Sequence, residues 1–163
     1  MNTAATPPAT GRGQLPLKLR PGRKTDVRTQ FAALCYRTGQ DGEIEVCLVT
    51  SRASRRWILP KGWPMHKETP ADAAATEAWE EAGLTGVAID HCLGVYAYVK
   101  TLSKTLAPVI VMVYPVAVAQ EHEDWPERRE RKRKWLSRKK AAKRLAEPEL
   151  RRIVAHFDPS KLP

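Results

Sequence analysis

The chain has 163 residues, a formal net charge of +10 and a pI near 9.8, with 42% hydrophobic residues. That suffices for one domain with its own core, about 130 residues of it once the leader is set aside, and the charge favours polyanionic partners. No run approaches the ~18 consecutive apolar residues of a membrane span, and Met1–Asp26 has no apolar signal core. We therefore expect no membrane partner and a cytoplasmic protein.

In chain order, residues 1–26 form a tail of Ala, Thr, Pro and Gly with five basic residues and no acid before Asp26, predicting a flexible basic segment. An organellar transit peptide is the competing reading, opposed by its proline content and poor amphipathicity. Thr29–Arg37 and Ile44–Arg52 then read as a hairpin around the Gly-containing loop 38–43. Trp57-Ile58-Leu59 predicts a short buried strand stopped by Pro60.

A helix follows, with Thr69 as N-cap, Pro70 at its first position, Asp72 three residues after the cap and Gly83 as the closing residue. Ala71, Ala75, Ala78 and Ala82 form a small-residue stripe that predicts close approach to a sheet, with Glu77, Glu80 and Glu81 pointing elsewhere. Val87–Lys100 and Leu106–Val118 are two further β-rich runs, and 120–130 predicts an acidic loop. Ser137 is placed to cap a helix through Leu145, and Pro148 to open another through Phe157. Strands, a helix, strands and then helices indicate an α+β sandwich with a mixed sheet between helices. Cys35, Cys47 and Cys92 sit in apolar, strand-like runs and read as reduced core thiols. The four histidines show no zinc spacing with them.

The chemistry concentrates on the capped helix. Glu77, Glu80 and Glu81 stand at i, i+3 and i+4, where like charges repel by a few tenths of a kcal/mol per pair. A hard cation such as Mg²⁺, which takes carboxylate and phosphate oxygens, offsets that repulsion. Immediately upstream, Lys61 and the Pro60–Gly62 turn suit a metal–polyphosphate complex, Gly62 because its backbone can be approached closely.

Gly62, Glu68, Glu77, Glu80, Glu81, Gly83 and Leu84 fall on the spacing Gly-x5-Glu-x7-Arg-Glu-aliphatic-x-Glu-Glu-x-Gly-aliphatic. This segment resembles the Nudix box. Two positions depart from it: Ala78 is a smaller aliphatic, and Thr76 replaces the arginine that orients a neighbouring glutamate in the family. Trp57-Ile-Leu-Pro-Lys-Gly62 is similar to the diadenosine and diphosphoinositol polyphosphate branch. Asp124-Trp125 followed by Arg131-Lys-Arg-Lys-Trp-Leu136 is similar to a segment of the diphosphoinositol polyphosphate phosphohydrolases, with Lys134 in place of a family glutamate.

The resemblance implies an α/β/α sandwich, a Nudix domain over residues 27–158 and a C-terminal tail at 159–163. It further implies Mg²⁺ or Mn²⁺ as cofactor, held by Glu77, Glu80 and Glu81 with the Gly62 carbonyl, and Glu68 as a supporting catalytic residue. The general base would be Glu77 or one of Glu121, Glu123, Glu127 and Glu130. Lys61, Arg56, Arg131, Lys132 and Arg133 would contact the substrate, while Arg138, Lys139, Lys140, Lys143 and Arg144 form an exposed helix face. Trp125 and Trp135 would either stack on an adenine or be buried as core or lid aromatics.

The activity implied is cleavage of a phosphoanhydride in diphosphoinositol polyphosphates or dinucleoside polyphosphates by a monomer or homodimer. An mRNA 5′-end pyrophosphohydrolase shares the same box. The alternative of another class is a non-catalytic Nudix-fold module that binds RNA or polyphosphate through the basic patch. Thr76 speaks for it; retention of mutually repelling glutamates speaks against it.

Overall fold

The computed structural model describes residues 14–18, 28–102 and 104–163. Its strands are β1 (Thr29–Thr38), β2 (Ile44–Thr50), β3 (Trp57–Ile58), β4 (Lys61–Gly62), β5 (Leu84–Ala88), β6 (Gly94–Leu102), β7 (Thr105–Glu121) and β8 (Arg133–Ser137). The helices are α1 (Pro70–Ala82), α2 (Arg138–Arg144) and α3 (Pro148–Ala155), followed by a 3-10 turn at Pro159–Lys161. The strands form one mixed sheet in which β1 runs parallel to β7 and the other pairings are antiparallel.

Strict alternation along β1 decides the layers. Phe31, Ala33 and Cys35 face α1 and pack with Ala71, Ala74, Ala78 and Ala82. Ala32 and Leu34 face the other way, into a core closed by Ala141, Leu145, Leu150 and Val154 of the C-terminal helices. The result is the expected α/β/α sandwich. Cys35 and Cys47 are buried free thiols, and burial raises both well above the usual thiol range.

Several local readings change. The run Val87–Lys100 is two strands, because residues 89–93 form the connection between β5 and β6; half-buried Cys92 lies there. The strand expected at Leu106–Val118 extends to Glu121 and takes the start of the acidic loop into the sheet. The basic cluster continues into a strand, β8, paired with β2 from Val49↔Arg133 to Glu45↔Ser137. Ser137 occupies the N-cap of α2, but its hydroxyl makes no capping bond. Of the expected tail, residues 14–18 are extended against the domain: Leu17 exchanges backbone bonds with Lys67 and Glu68, and the Tyr114 hydroxyl donates to Gln14 Oε1 at 2.7 Å. The rest of that tail lies outside the described residues.

β1 and β2 hold together at their turn and then separate. β1 pairs with β2 from Tyr36 to Thr38, while Phe31 and Ala32 pair instead with Gly62 and Lys61 of β4. Inserting β4 beside β1 brings the residues before the box against α1, where the candidate site forms.

Candidate active site

α1 is held at both ends. Thr69 Oγ1 accepts from the Asp72 N–H at 3.1 Å, a cap of the kind that contributes about 1 kcal/mol. Gly83 closes the helix at φ 66°, and a side chain there would also run into the Trp125 ring.

The sheet-facing stripe of α1 differs from the sequence reading. Ala75 is only half-buried, whereas Ala73 and Ala74 are buried. Glu77 and Glu81 are buried as well, at 8% and 6% exposure, rather than pointing away. Positions 74, 77, 78, 81 and 82 follow i, i+3, i+4, i+7 and i+8, so the two carboxylates lie on the same stripe as the alanines.

These carboxylates open into a cavity of about 570 Å³ lined by Lys61, Gly62, Trp63, Glu77, Glu80, Glu81, Glu127 and Arg131, together with Gln30, Arg52, Tyr98 and Lys100. Gly62 is required by contact: a Cβ there would fall 2.0 Å from Glu77 Oε1. Because the obstructing atoms are the end of a side chain, Gly62→Ala should fold but displace the Glu77 carboxylate. We expect a melting temperature close to the parent and turnover lowered at least about tenfold; parent-like turnover would show that Glu77 needs no such place.

Charge in the cavity is only partly balanced. Burial, followed by the neighbouring charges of Glu81 and Glu80, pushes Glu77 up to about 8. Burial also raises Glu81, although Arg131 and Lys61 oppose it. Arg131 Nη2 lies 3.1 Å from Glu81 Oε1, and the Lys61 N–H donates to Glu81 Oε2 at 3.3 Å. Burial lowers Lys61 below the usual lysine range, and its Nζ sits 5.1 Å from the centre of the Tyr98 ring.

Five of the residues singled out in the sequence therefore meet Arg131 in one cavity: Lys61, Gly62, Glu77, Glu80 and Glu81. Of the expected ligands and substrate contacts, Glu68, Arg56, Lys132 and Arg133 lie outside its lining. Glu68 accepts from the Thr76 hydroxyl at 3.3 Å. Arg56 is exposed and turns to Ser54. Lys132 is exposed, and the Arg133 guanidinium donates to Ala82 O, pairs with Glu121 and stacks 4.1 Å from the Trp125 ring. Trp125 donates to Glu81 O and Trp135 to Glu121 Oε2 while stacking on Arg37, so both indoles brace the loop and sheet edge. Among the loop glutamates, Glu127 reaches the cavity, whereas Glu121 is tied to Arg37 and Arg133.

Sequence reasoning missed Gln30, Arg52, Trp63, Tyr98 and Lys100. Tyr98 and Lys100 continue the two-residue alternation begun by buried Tyr96 on β6, a signal that was present. Arg52 and Gln30 carried none, since loop course and strand separation bring them in.

Among the described residues, no group of three His, Cys, Asp or Glu side chains forms a ready-made metal site. The donor set nevertheless fits a hard divalent cation: three carboxylates of α1 and Glu127 line one cavity, two of them buried with raised titration, beside a glycine whose missing Cβ makes the space.

A mixed sheet between helices, with a cavity lined by carboxylates from the C-terminal half of its long helix α1, defines an α/β/α protein suited to anionic, metal-associated ligands. The NUDIX domain profile matches residues 28–157, so the chain belongs to the Nudix family. It is 32% identical over 120 residues to Nudix hydrolase 12, mitochondrial, of Arabidopsis thaliana, covering 71% of this chain and 59% of that protein. It is likewise 32% identical over 120 residues to diphosphoinositol polyphosphate phosphohydrolase 2 of Rattus norvegicus, covering 72% and 63%. The chain thus spans about six tenths of the length of these curated relatives. A C. elegans Ap4A hydrolase structure superimposes with a TM-score of 0.55 at 21% identity, over 78% of this chain and 93% of that one, a likeness of fold.

Proposed function

We propose that this chain is a divalent-cation-dependent Nudix hydrolase that cleaves a phosphoanhydride bond in diphosphoinositol polyphosphates or dinucleoside polyphosphates. The observation that carries this reading is the pairing, in one cavity, of Glu77, Glu80 and Glu81 with the cationic side chains of Arg52, Lys61 and Lys100. Carboxylates alone repel a polyphosphate and cations alone only bind it. The two together suit a cation–polyphosphate complex. The names of the relatives, which include a diphosphoinositol polyphosphate phosphohydrolase, support the substrate class.

Glu77, Glu80 and Glu81, with the Gly62 carbonyl, would hold Mg²⁺ or Mn²⁺, which when bound neutralises phosphate charge and acidifies water. Lys61 and Lys100 would orient the phosphate chain, and Trp63, whose ring lies 5.3 Å from Lys100 Nζ, would keep that ammonium on the cavity wall. The proton of the attacking water would pass to Glu77 or Glu127, the two candidate bases that line the cavity. A panel of nucleoside triphosphates, dinucleoside polyphosphates and diphosphoinositol polyphosphates, assayed with Mg²⁺, Mn²⁺ or chelator, tests the reading. Cation-dependent release of phosphate or nucleotide supports it, and inactivity across the panel sinks it.

Stability should report the same charge. Glu77 titrates near 8 when folded against an ordinary 4.5, so folding favours its protonated form. The stability this confers is present below about pH 4.5 and is lost as pH rises through about 8. In chelator the melting temperature should therefore fall between about pH 6 and 8.5, and Mg²⁺ should restore more at the higher pH. Glu77→Gln should flatten both trends; a pH-independent response to Mg²⁺ in the parent would contradict this.

A further inference from the structure

We infer that Arg131 is the positioning residue of the carboxylate cluster, orienting Glu81 from the loop before β8 because the box position ahead of Glu77 holds a threonine. The inference rests on the reading of Glu77, Glu80 and Glu81 as a cation-holding group. Thr76 is committed elsewhere: its hydroxyl lies 3.1 Å from the Asp72 carbonyl and 3.3 Å from Glu68 Oε2. Arg131, by contrast, has a side chain only 6% exposed, with each of its three nitrogens on a protein acceptor. Nη2 meets Glu81 Oε1 at 3.1 Å, Nε meets Glu127 Oε2 at 3.3 Å, and Nη1 donates to Thr50 O at 3.0 Å.

The backbone around it is anchored too. The Arg131 N–H donates to Glu127 O, Thr50 N–H to Lys132 O, and Lys132 N–H to Thr50 Oγ1. Glu81 Oε2 takes the Lys61 N–H, so its two oxygens are held from two separate segments, β4 and the loop before β8. A planar guanidinium spanning three acceptors sets direction as well as charge, which a lysine ammonium cannot reproduce. A guanidinium so engaged has little left for a phosphate; the other cations lining the cavity are Lys61, Lys100 and Arg52, the last paired with Glu127 at 3.3 Å.

The test combines two readouts on Arg131→Ala and Arg131→Lys. One is calorimetric titration of Mg²⁺ or Mn²⁺ onto chelator-treated protein without substrate. The other is kcat and KM for a nucleoside triphosphate and for a more phosphorylated substrate. Arg131→Ala should weaken cation affinity and lower kcat by about tenfold or more, alike on both substrates, with little change in KM. Arg131→Lys should recover part of each, and it carries the test alone if the alanine variant does not fold. A KM that rises with phosphate number while cation affinity stays intact would overturn the inference and make Arg131 a substrate contact. Unchanged affinity and kcat would overturn it as well. A parent protein that binds neither cation would instead overturn the reading of the carboxylate cluster itself.

Discussion

Replacing Glu81 with glutamine should lower kcat by at least about a hundredfold while the protein stays folded. An amide is a poor ligand for a hard cation, so the loss should appear in turnover with every substrate. The fold should persist because glutamine keeps the shape and can still accept from the Lys61 N–H, and Arg131 retains Glu127 and the Thr50 carbonyl. Burial already raises Glu81 above the ordinary carboxylate range. Near pH 8 without cation, the neutral side chain should therefore melt no lower than the charged one. Parent-like turnover in the purified variant would remove Glu81 from the catalytic group.

Lys61→Met should produce the second large effect. The ammonium lies in the cavity on β4, with burial lowering its pKa against the opposing influence of Glu81 and Glu147. A hydrogen bond to a charged group contributes roughly 1.5–3 kcal/mol. Its removal should cut kcat/KM for polyphosphates by about ten- to a hundredfold. The variant should lose less on substrates with fewer phosphates. Since burial disfavours the charge, methionine should not weaken the empty protein, and a melting curve checks that the loss is not one of folding. The parent should lose affinity on the alkaline side as Lys61 deprotonates, and the variant should lack that limb. An unchanged kcat/KM would place Lys61 outside the substrate contacts. Removing Arg131, Lys132 and Arg133 together would not isolate substrate binding, because only Lys132 of the three is exposed.

Local chemistry made much of α1 legible. Thr69, Pro70 and Gly83 mark its ends through bonds confined to one or two turns, and the spacing of Glu77, Glu80 and Glu81 places them near one another in any helix. The succession of strands, a helix, strands and then helices likewise predicted a mixed sheet between helices, and the box spacing pointed to the family that the NUDIX profile matches. Long-range placement decided the rest. Which side of α1 is buried depends on where β4 inserts beside β1, and that brought Glu77 and Glu81 inward with the alanines. The strand character of 133–137 follows from pairing with β2, an edge that periodicity within a run of basic residues does not disclose. Arg131 and Arg133 read alike in the sequence, yet one turns to Glu81 and the other to Ala82 and Trp125. By itself the chain determined its helix ends, its strand-forming runs and the set of acids available for chemistry, because those depend on residues a few positions apart. Only the tertiary structure decided which charges face one another, because burial and pairing energies depend on distances set by segments far apart in the chain.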